Sequence, residues 1–358
     1  MKERIAERID RHRRFLKYGE TDRPLVGFYV GGWEGLSRYS ENSESLFPKG
    51  IISADDVTTD KFAEMYKNYA RNLLYDDDFV HTLDPVPSIP WIEAACGCPI
   101  KFTGKNFWSQ QVGVEGAKKS IAAMPIKDNP WIKKYGEFIK YLASEFPDYA
   151  IGQSILRGPL DVLCALAGDT EIIYGLYDEP EFVKEGLDVI SNVFNEFISV
   201  QKEYTPKYHG GYGIGQFFMW APGTVCRIQE DAMAIITPDH YDEYVYEADV
   251  KITSETEYSL YHVHATGMFI MDKIVRNKNL NIIQVSKDEG DTTLSDLIEG
   301  METIQKAGMS VLIKGKFDKD DIDMMRKRLD RRALALGCVV DDHKAAQELK
   351  EYLVNVNW

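Results

Sequence analysis

Cysteine is scarce in this chain and follows no framework. Cys96, Cys98, Cys164, Cys226 and Cys338 make an odd count of five in 358 residues. That argues against a disulfide-stapled secreted scaffold and fits a reducing cytoplasm. Positive charge is also in deficit: 42 Lys and Arg face 57 Asp and Glu, a formal net charge of −15. So acidic a chain is a poor general binder of nucleic acid. No apolar run reaches the roughly 20 residues a membrane helix requires. Residues 1–20 are rich in Arg, Lys and Glu, so no signal peptide is expected there. Internal repeats, low-complexity tracts and a domain-splitting linker are all missing. What remains is 44% hydrophobic and 28% charged, enough for one large core.

Apolar periodicity predicts an amphipathic helix over 1–17, broken by Asp22-Arg23-Pro24. Strand-like and helix-like segments then alternate. Strands are expected at 25–30, 78–83, 149–155, 211–220, 258–263, 280–285, 310–313 and 333–339. Helices are expected at 59–74, 131–145, 180–202, 238–250, 268–276, 294–307, 319–330 and 343–353. Residues 84–128, rich in Pro, Gly and aromatics, read as a long irregular insertion after the second strand. Eight strand-then-helix units are what a (β/α)8 TIM barrel requires. The expectation is therefore one α/β domain over 1–358, with a doubly wound open sheet as the alternative.

The most informative segment is Tyr258-Ser259-Leu260-Tyr261-His262-Val263-His264-Ala265-Thr266-Gly267. It reads as a strand ending in two histidines that share a face, then breaking at glycine. The carboxyl ends of parallel strands are where catalytic groups collect. Imidazole is the commonest metal ligand and a frequent acid–base group, so a metal or catalytic role stands ahead of a satisfied core histidine. Cys338, ending the last expected strand, would reach the same rim. Thiolate plus imidazoles make a zinc set, although a lone Cys is more often a small buried hydrophobe. Glu230 or Asp231 would complete the site as a ligand, an orienting partner or a base. Each alone also reads as a solvated loop acid or helix cap. Asp288 and Glu289 invite the same readings, and there the solvated acid is favoured. Arg157 suits either a substrate carboxylate or phosphate, or a structural ion pair. Trp220, in Phe217-Phe218-Met219-Trp220, reads as pocket lining or as core. Gly210-Gly211-Tyr212-Gly213-Ile214-Gly215 lacks dinucleotide-binding spacing. Cys96-Gly97-Cys98 reads as a turn.

Four stretches carry a family resemblance. They are Pro90-Trp91-Ile92-Glu93-Ala94-Ala95-Cys96-Gly97-Cys98-Pro99, then Leu156-Arg157-Gly158-Pro159-Leu160-Asp161 continuing to Gly168. Leu176-Tyr177-Asp178-Glu179-Pro180-Glu181-Phe182-Val183 and Ile236-Thr237-Pro238-Asp239-His240-Tyr241-Asp242-Glu243-Tyr244-Val245 follow. The chain from about residue 20 onward resembles the uroporphyrinogen decarboxylase superfamily, which implies a (β/α)8 barrel. Decarboxylases of that group carry an arginine-rich motif after the first strand. Here the region reads Gly27-Phe28-Tyr29-Val30-Gly31-Gly32-Trp33, without arginine, which turns the expectation toward the corrinoid-dependent methyltransferase branch.

Its coenzyme M methyltransferases hold zinc by a strand-end His-x-Cys and a late Cys. The resemblance puts His262 and Cys338 on that pattern, with His264 in place of the first cysteine. Aryl-ether demethylating relatives use glutamates with a histidine, and Glu243 stands at a comparable distance before His264. It ranks below Glu230, because it falls inside an expected helix.

The expectation is thus a cytoplasmic, zinc-assisted methyltransferase moving a methyl group between a small methyl ether or thiol and the cobalt of a corrinoid (cobalamin), carried by a partner corrinoid protein. His262, His264, Cys338 and Glu230 would hold the metal. Glu230 and His264 would be catalytic, and Arg157 and Trp220 would bind substrate. The rival readings are a metal-free decarboxylase or lyase, and a non-catalytic tetrapyrrole- or corrinoid-binding protein.

Overall fold

The computed structural model describes residues 2–17, 21–31, 46–47, 49–72, 76–124, 126–290, 292–356 and 358. Gly32 and Trp33, and the last two positions of the helix expected over 59–74, lie outside them.

The fold is α/β. Its centre is a six-stranded all-parallel sheet made of Leu25–Val30 (β1), Val225–Gln229 (β4), Tyr258–His264 (β5), Leu280–Ser286 (β6), Ser310–Gly315 (β7) and Leu334–Val340 (β8). The spatial order runs β4-β5-β6-β7-β8-β1. Two short strands, Thr82–Leu83 (β2) and Ala150–Ile151 (β3), form a separate parallel pair. Links other than a regular ladder join the two sets. Asp78 N donates to Val26 O at 2.8 Å. The Gln153 side-chain amide stands in for a strand neighbour, donating to Arg227 O at 2.6 Å and accepting from Arg227 N at 2.9 Å.

Helices follow the strands for ordinary reasons. Asn129 caps Pro130–Glu145 by accepting from Trp131 N, and Pro180, whose fixed φ suits a first helical turn, opens the long helix Pro180–Tyr204. Strand cores such as Ile282-Ile283 and Val311-Leu312-Ile313 are fully buried, as two-sided parallel strands demand.

Two expectations need correction. Residues 211–220 are not the fourth parallel strand. Tyr212–Ile214 and Met219–Ala221 pair antiparallel, across a turn where Gln216 and Phe218 take φ of 62° and 55°. The parallel strand is β4, which begins only at Val225, beyond the end of the expected segment. Its alternate residues Arg227 and Gln229 are polar and buried. They break the apolar run that marks a buried strand, so periodicity passes over it. Nor is 84–128 wholly irregular. It holds helices Trp91–Ala95 and Gly113–Ala122 and strands Ile100–Phe102 and Phe107–Ser109, which pair with each other and with Gly50–Ile52. Cys96-Gly97-Cys98 is a helix C-terminal turn: Gly97 takes φ of 97°, and Cys98 N donates to Glu93 O at 2.9 Å.

Strand register decides which side chains meet. His262 lies between Gln229 and Gln284 on its two neighbouring strands. Next along, His264 pairs with Ser286, Ser286 with Lys314, and Lys314 with Gly337. Partners in register share a face, so both histidines, Gln229, Gln284 and Lys314 look the same way.

Candidate metal centre

His262 ends up 4% exposed and His264 half-buried, both at the carboxyl end of β5. Each imidazole has its Nδ1 engaged. That of His262 bonds Gln284 Oε1, and that of His264 bonds Asp288 Oδ1 at 2.8 Å. The acceptors are oxygens, so the ring protons belong on Nδ1 and the lone pairs on Nε2. The two Nε2 atoms then face each other at 3.1 Å. Asp231 opens the short helix directly after β4 and brings Oδ1 to 3.8 Å from His264 Nε2. Its other oxygen, Oδ2, accepts from Gln229 Nε2 at 2.5 Å.

Asp231, His262 and His264 therefore offer three ligand atoms within 4.8 Å of one another. While both imidazoles are neutral, these are three acceptors with no donor among them, and they repel unless a metal ion, or a proton on His264 Nε2, sits between them. Ligands bound tetrahedrally to zinc at about 2 Å are about 3.3 Å apart. The observed spacings bracket that value, so the residues fit a divalent metal with room for a further ligand.

The protonation balance is split. The Asp288 hydrogen bond, together with the charge of Asp231, raises the His264 pKa despite burial. Burial, aided by the nearby Arg227 charge, holds His262 well below the ordinary imidazole range. Burial resists ionisation of Asp288, yet its bond to His264, the charges of His264 and Lys314 and a backbone bond from Ala265 together outweigh that and lower its pKa.

Of the residues singled out in the sequence, the structure brings together the histidine pair and Asp231. Cys338 is not with them. Its neighbour Gly337 shares the face of Lys314, and a Cβ there would lie 2.9 Å from Tyr29, so Cys338 points to the opposite face of the sheet. It is 1% exposed, and burial raises its thiol pKa. A buried, protonated thiol on the wrong face is a packing residue.

Glu230 is also displaced from its expected role. Fully buried, it accepts from Leu160 N at 3.2 Å and Asp161 N at 3.0 Å, anchoring the N-terminus of helix Pro159–Ala167. A Cβ on Gly158 would come within 2.2 Å of that carboxylate, so glycine is what lets the loop close over it. Burial and the nearby Asp161 push the Glu230 pKa well up.

Trp220 is a plug rather than a pocket wall. It is fully buried against Ile9, Val80 and Ala150, donates to Tyr208 O at 2.8 Å, and lies under the Arg13 guanidinium. Val80 precedes β2 and Ala150 opens β3, so this is the amino end of the strands, away from the histidines.

Arg157 pairs with Glu93 and Asp161, each at 3.2 Å, with 35% of its side chain exposed. Burial works against its charge, but those two carboxylates more than compensate. Glu243 lies on a surface helix, 3.5 Å from Lys184.

The sequence ranked Asp288 low and passed over Gln229 and Gln284. The available signal was polarity in the wrong place: Gln284 interrupts Ile282-Ile283 and Val285 in an otherwise apolar strand.

The chain matches no family model and no curated protein. Among solved structures it is similar to a methyltransferase from Methanosarcina mazei, with a TM-score of 0.62 and 15% identity over 96% of this chain and 98% of that one. At that identity the likeness is one of fold. No helix among the described residues is long and apolar enough to cross a membrane.

Proposed function

We propose that this chain is a metal-dependent methyltransferase built on a (β/α)8 barrel. In this reading it passes a methyl group between a small methyl ether or thiol and the cobalt of a corrinoid held by a partner protein. The observation that carries it is the convergence of His262 Nε2, His264 Nε2 and Asp231 Oδ1, with both Nδ1 atoms already spent. The likeness in fold to a methyltransferase along nearly the whole of both chains supports the choice of chemistry. The six-stranded parallel sheet and the separate parallel pair β2–β3, linked by the Asp78–Val26 backbone bond at one side and by Gln153 to Arg227 at the other, support the barrel.

The ligand set in this proposal is His262, His264 and Asp231, with zinc as the metal. When bound, zinc supplies Lewis acidity to the oxygen or sulfur that carries or receives the methyl group. The protein's own residues do the rest. Gln284 and Asp288 fix the imidazole tautomers and ring planes, and Gln229 turns Asp231 so that Oδ1 faces inward. In the demethylating direction the methyl–heteroatom bond breaks with its electron pair staying on the heteroatom. A reduced corrinoid on the partner protein, when present, would supply the electron pair for the new bond to carbon. A proton from solvent neutralises the released alkoxide, phenoxide or thiolate. Arg157, partly open and already paired, is proposed to orient an acidic substrate group at the rim.

The test is a spectroscopic assay in which zinc-loaded protein is mixed with methylcobalamin and a thiol, or with reduced cobalamin and an aryl methyl ether. Change in the corrinoid spectrum that is lost in His264→Ala supports the reading. No change with either donor set, in protein shown to hold zinc, contradicts it.

The split between a raised His264 pKa and a lowered His262 pKa favours a second reading, an acid–base pair serving a metal-free lyase. Full turnover in chelator-treated protein would select it.

A further inference from the structure

Arg227 occupies an unusual place for an arginine. It is 0% exposed, on β4, and on the same face as Gln229, two positions before the Asp231 that opens the next short helix. One guanidinium nitrogen donates to Leu156 O at 3.3 Å and another to Gln229 Oε1. Its Nε is buried with no hydrogen-bond partner among the described residues. Burying a charge this deeply is unfavourable and is offset only by well-placed acceptors. Methionine or leucine would fill the volume at lower cost, so the charge needs a reason.

The neighbours supply one. Gln229 takes the Arg227 hydrogen bond on Oε1, which commits its amide nitrogen to the other direction. That nitrogen donates to Asp231 Oδ2 at 2.5 Å. Without Arg227 the Gln229 amide is held in this orientation by Asp231 alone, although its oxygen and nitrogen nearly match in shape. Flipped, it would present an acceptor to a carboxylate and push Asp231 away. Arg227 also reaches the histidine arm. Its guanidinium lies 5.5 Å from the Phe217 ring centroid, and Phe217 lies 5.3 Å from the His262 ring centroid.

We propose that Arg227 is a positioning residue for the metal centre. Acting through Gln229, it selects which oxygen of Asp231 is offered to the cation. The relay Arg227–Gln229–Asp231 does for the carboxylate what Asp288 does for His264 and Gln284 for His262. Each of the three ligands then has one dedicated orienting partner, which is how a weakly held carboxylate joins two imidazoles in a site of fixed shape. The inference rests on the metal-binding part of the function proposed above.

Zinc affinity of the full chain, measured by competition with a chromophoric chelator, tests it. Gln229→Leu breaks the relay while leaving Arg227 in place, and should weaken zinc about 10–100-fold. Arg227→Met should weaken it similarly, and the double variant should lose no more than the worse single, since both changes cut one chain of contacts. Arg227→Lys, still able to donate to Gln229, should recover part of the loss. In the cobalt-loaded protein the visible absorption should shift in Gln229→Leu, which a merely structural role would not produce. If Arg227→Met does not fold, Gln229→Leu and Arg227→Lys decide. Wild-type affinity in Gln229→Leu, or single losses that multiply in the double variant, overturns the relay alone. Failure of the wild-type chain to bind zinc overturns the metal reading and the relay with it.

Discussion

His264 Nε2 lies 3.1 Å from His262 Nε2, and while both rings are neutral neither nitrogen has a proton to donate, because Asp288 and Gln284 have claimed the two Nδ1 atoms. That juxtaposition is unfavourable in isolation and becomes favourable around a cation.

Asp288 should matter to the metal and little to the fold. Its Oδ1 fixes His264 from a half-exposed position. Asp288→Ala is expected to weaken zinc about 10–100-fold. The unfolding free energy should change by less than about 1 kcal/mol, because a partly exposed pair contributes little. Chelator competition and denaturant titration read the two effects separately.

Glu230 and Cys338 should behave in the opposite way. Glu230→Ala strips two helix N-terminal amides of their acceptor in a buried site. A loss of about 2–4 kcal/mol is expected, with zinc per folded chain unchanged. Cys338→Ala removes one buried sulfur from the far face of the sheet and should cost about 1 kcal/mol, again without loss of metal. Loss of zinc on Cys338→Ala would contradict the register argument.

The carboxyl-end histidines were legible in the sequence because His262-Val263-His264 sits in an apolar strand before a glycine. The parallel α/β alternation was legible in the second half, where Val311 and Leu334 head buried apolar runs. The fourth strand was not, because Arg227 and Gln229 place buried polarity where the pattern expects Val or Ile. Cys338 and Glu230 misled in a different way. Each lies at a strand end, but facing is decided by one-residue register, and strand-end position alone does not carry that. Asp288 lies 24 residues after His264, and only the pairing of β5 with β6 makes them neighbours.

Acid sensitivity should trace in part to His12, in the first helix. It is fully buried, its Nδ1 lies 2.9 Å from Arg8 O, and burial lowers its pKa from 6.5 to about 4. Below pH 6.5 the unfolded chain takes up a proton that the folded chain refuses. Stability is therefore whole above that pH and falls as pH drops toward about 4, by about 3 kcal/mol in all from this residue. His12→Leu should flatten this limb of the unfolding-versus-pH curve. An unchanged limb would show that His12 does not titrate in this window.

Metal stoichiometry of the purified protein, by elemental mass spectrometry after dialysis against zinc, bears most directly on the central claim. The wild-type chain and Cys338→Ala are expected to hold about one zinc each, while His264→Ala and Asp231→Asn hold little or none, a pattern that follows from the three-ligand set. Substoichiometric zinc in the wild-type chain, or full retention in Asp231→Asn and His264→Ala, would contradict it.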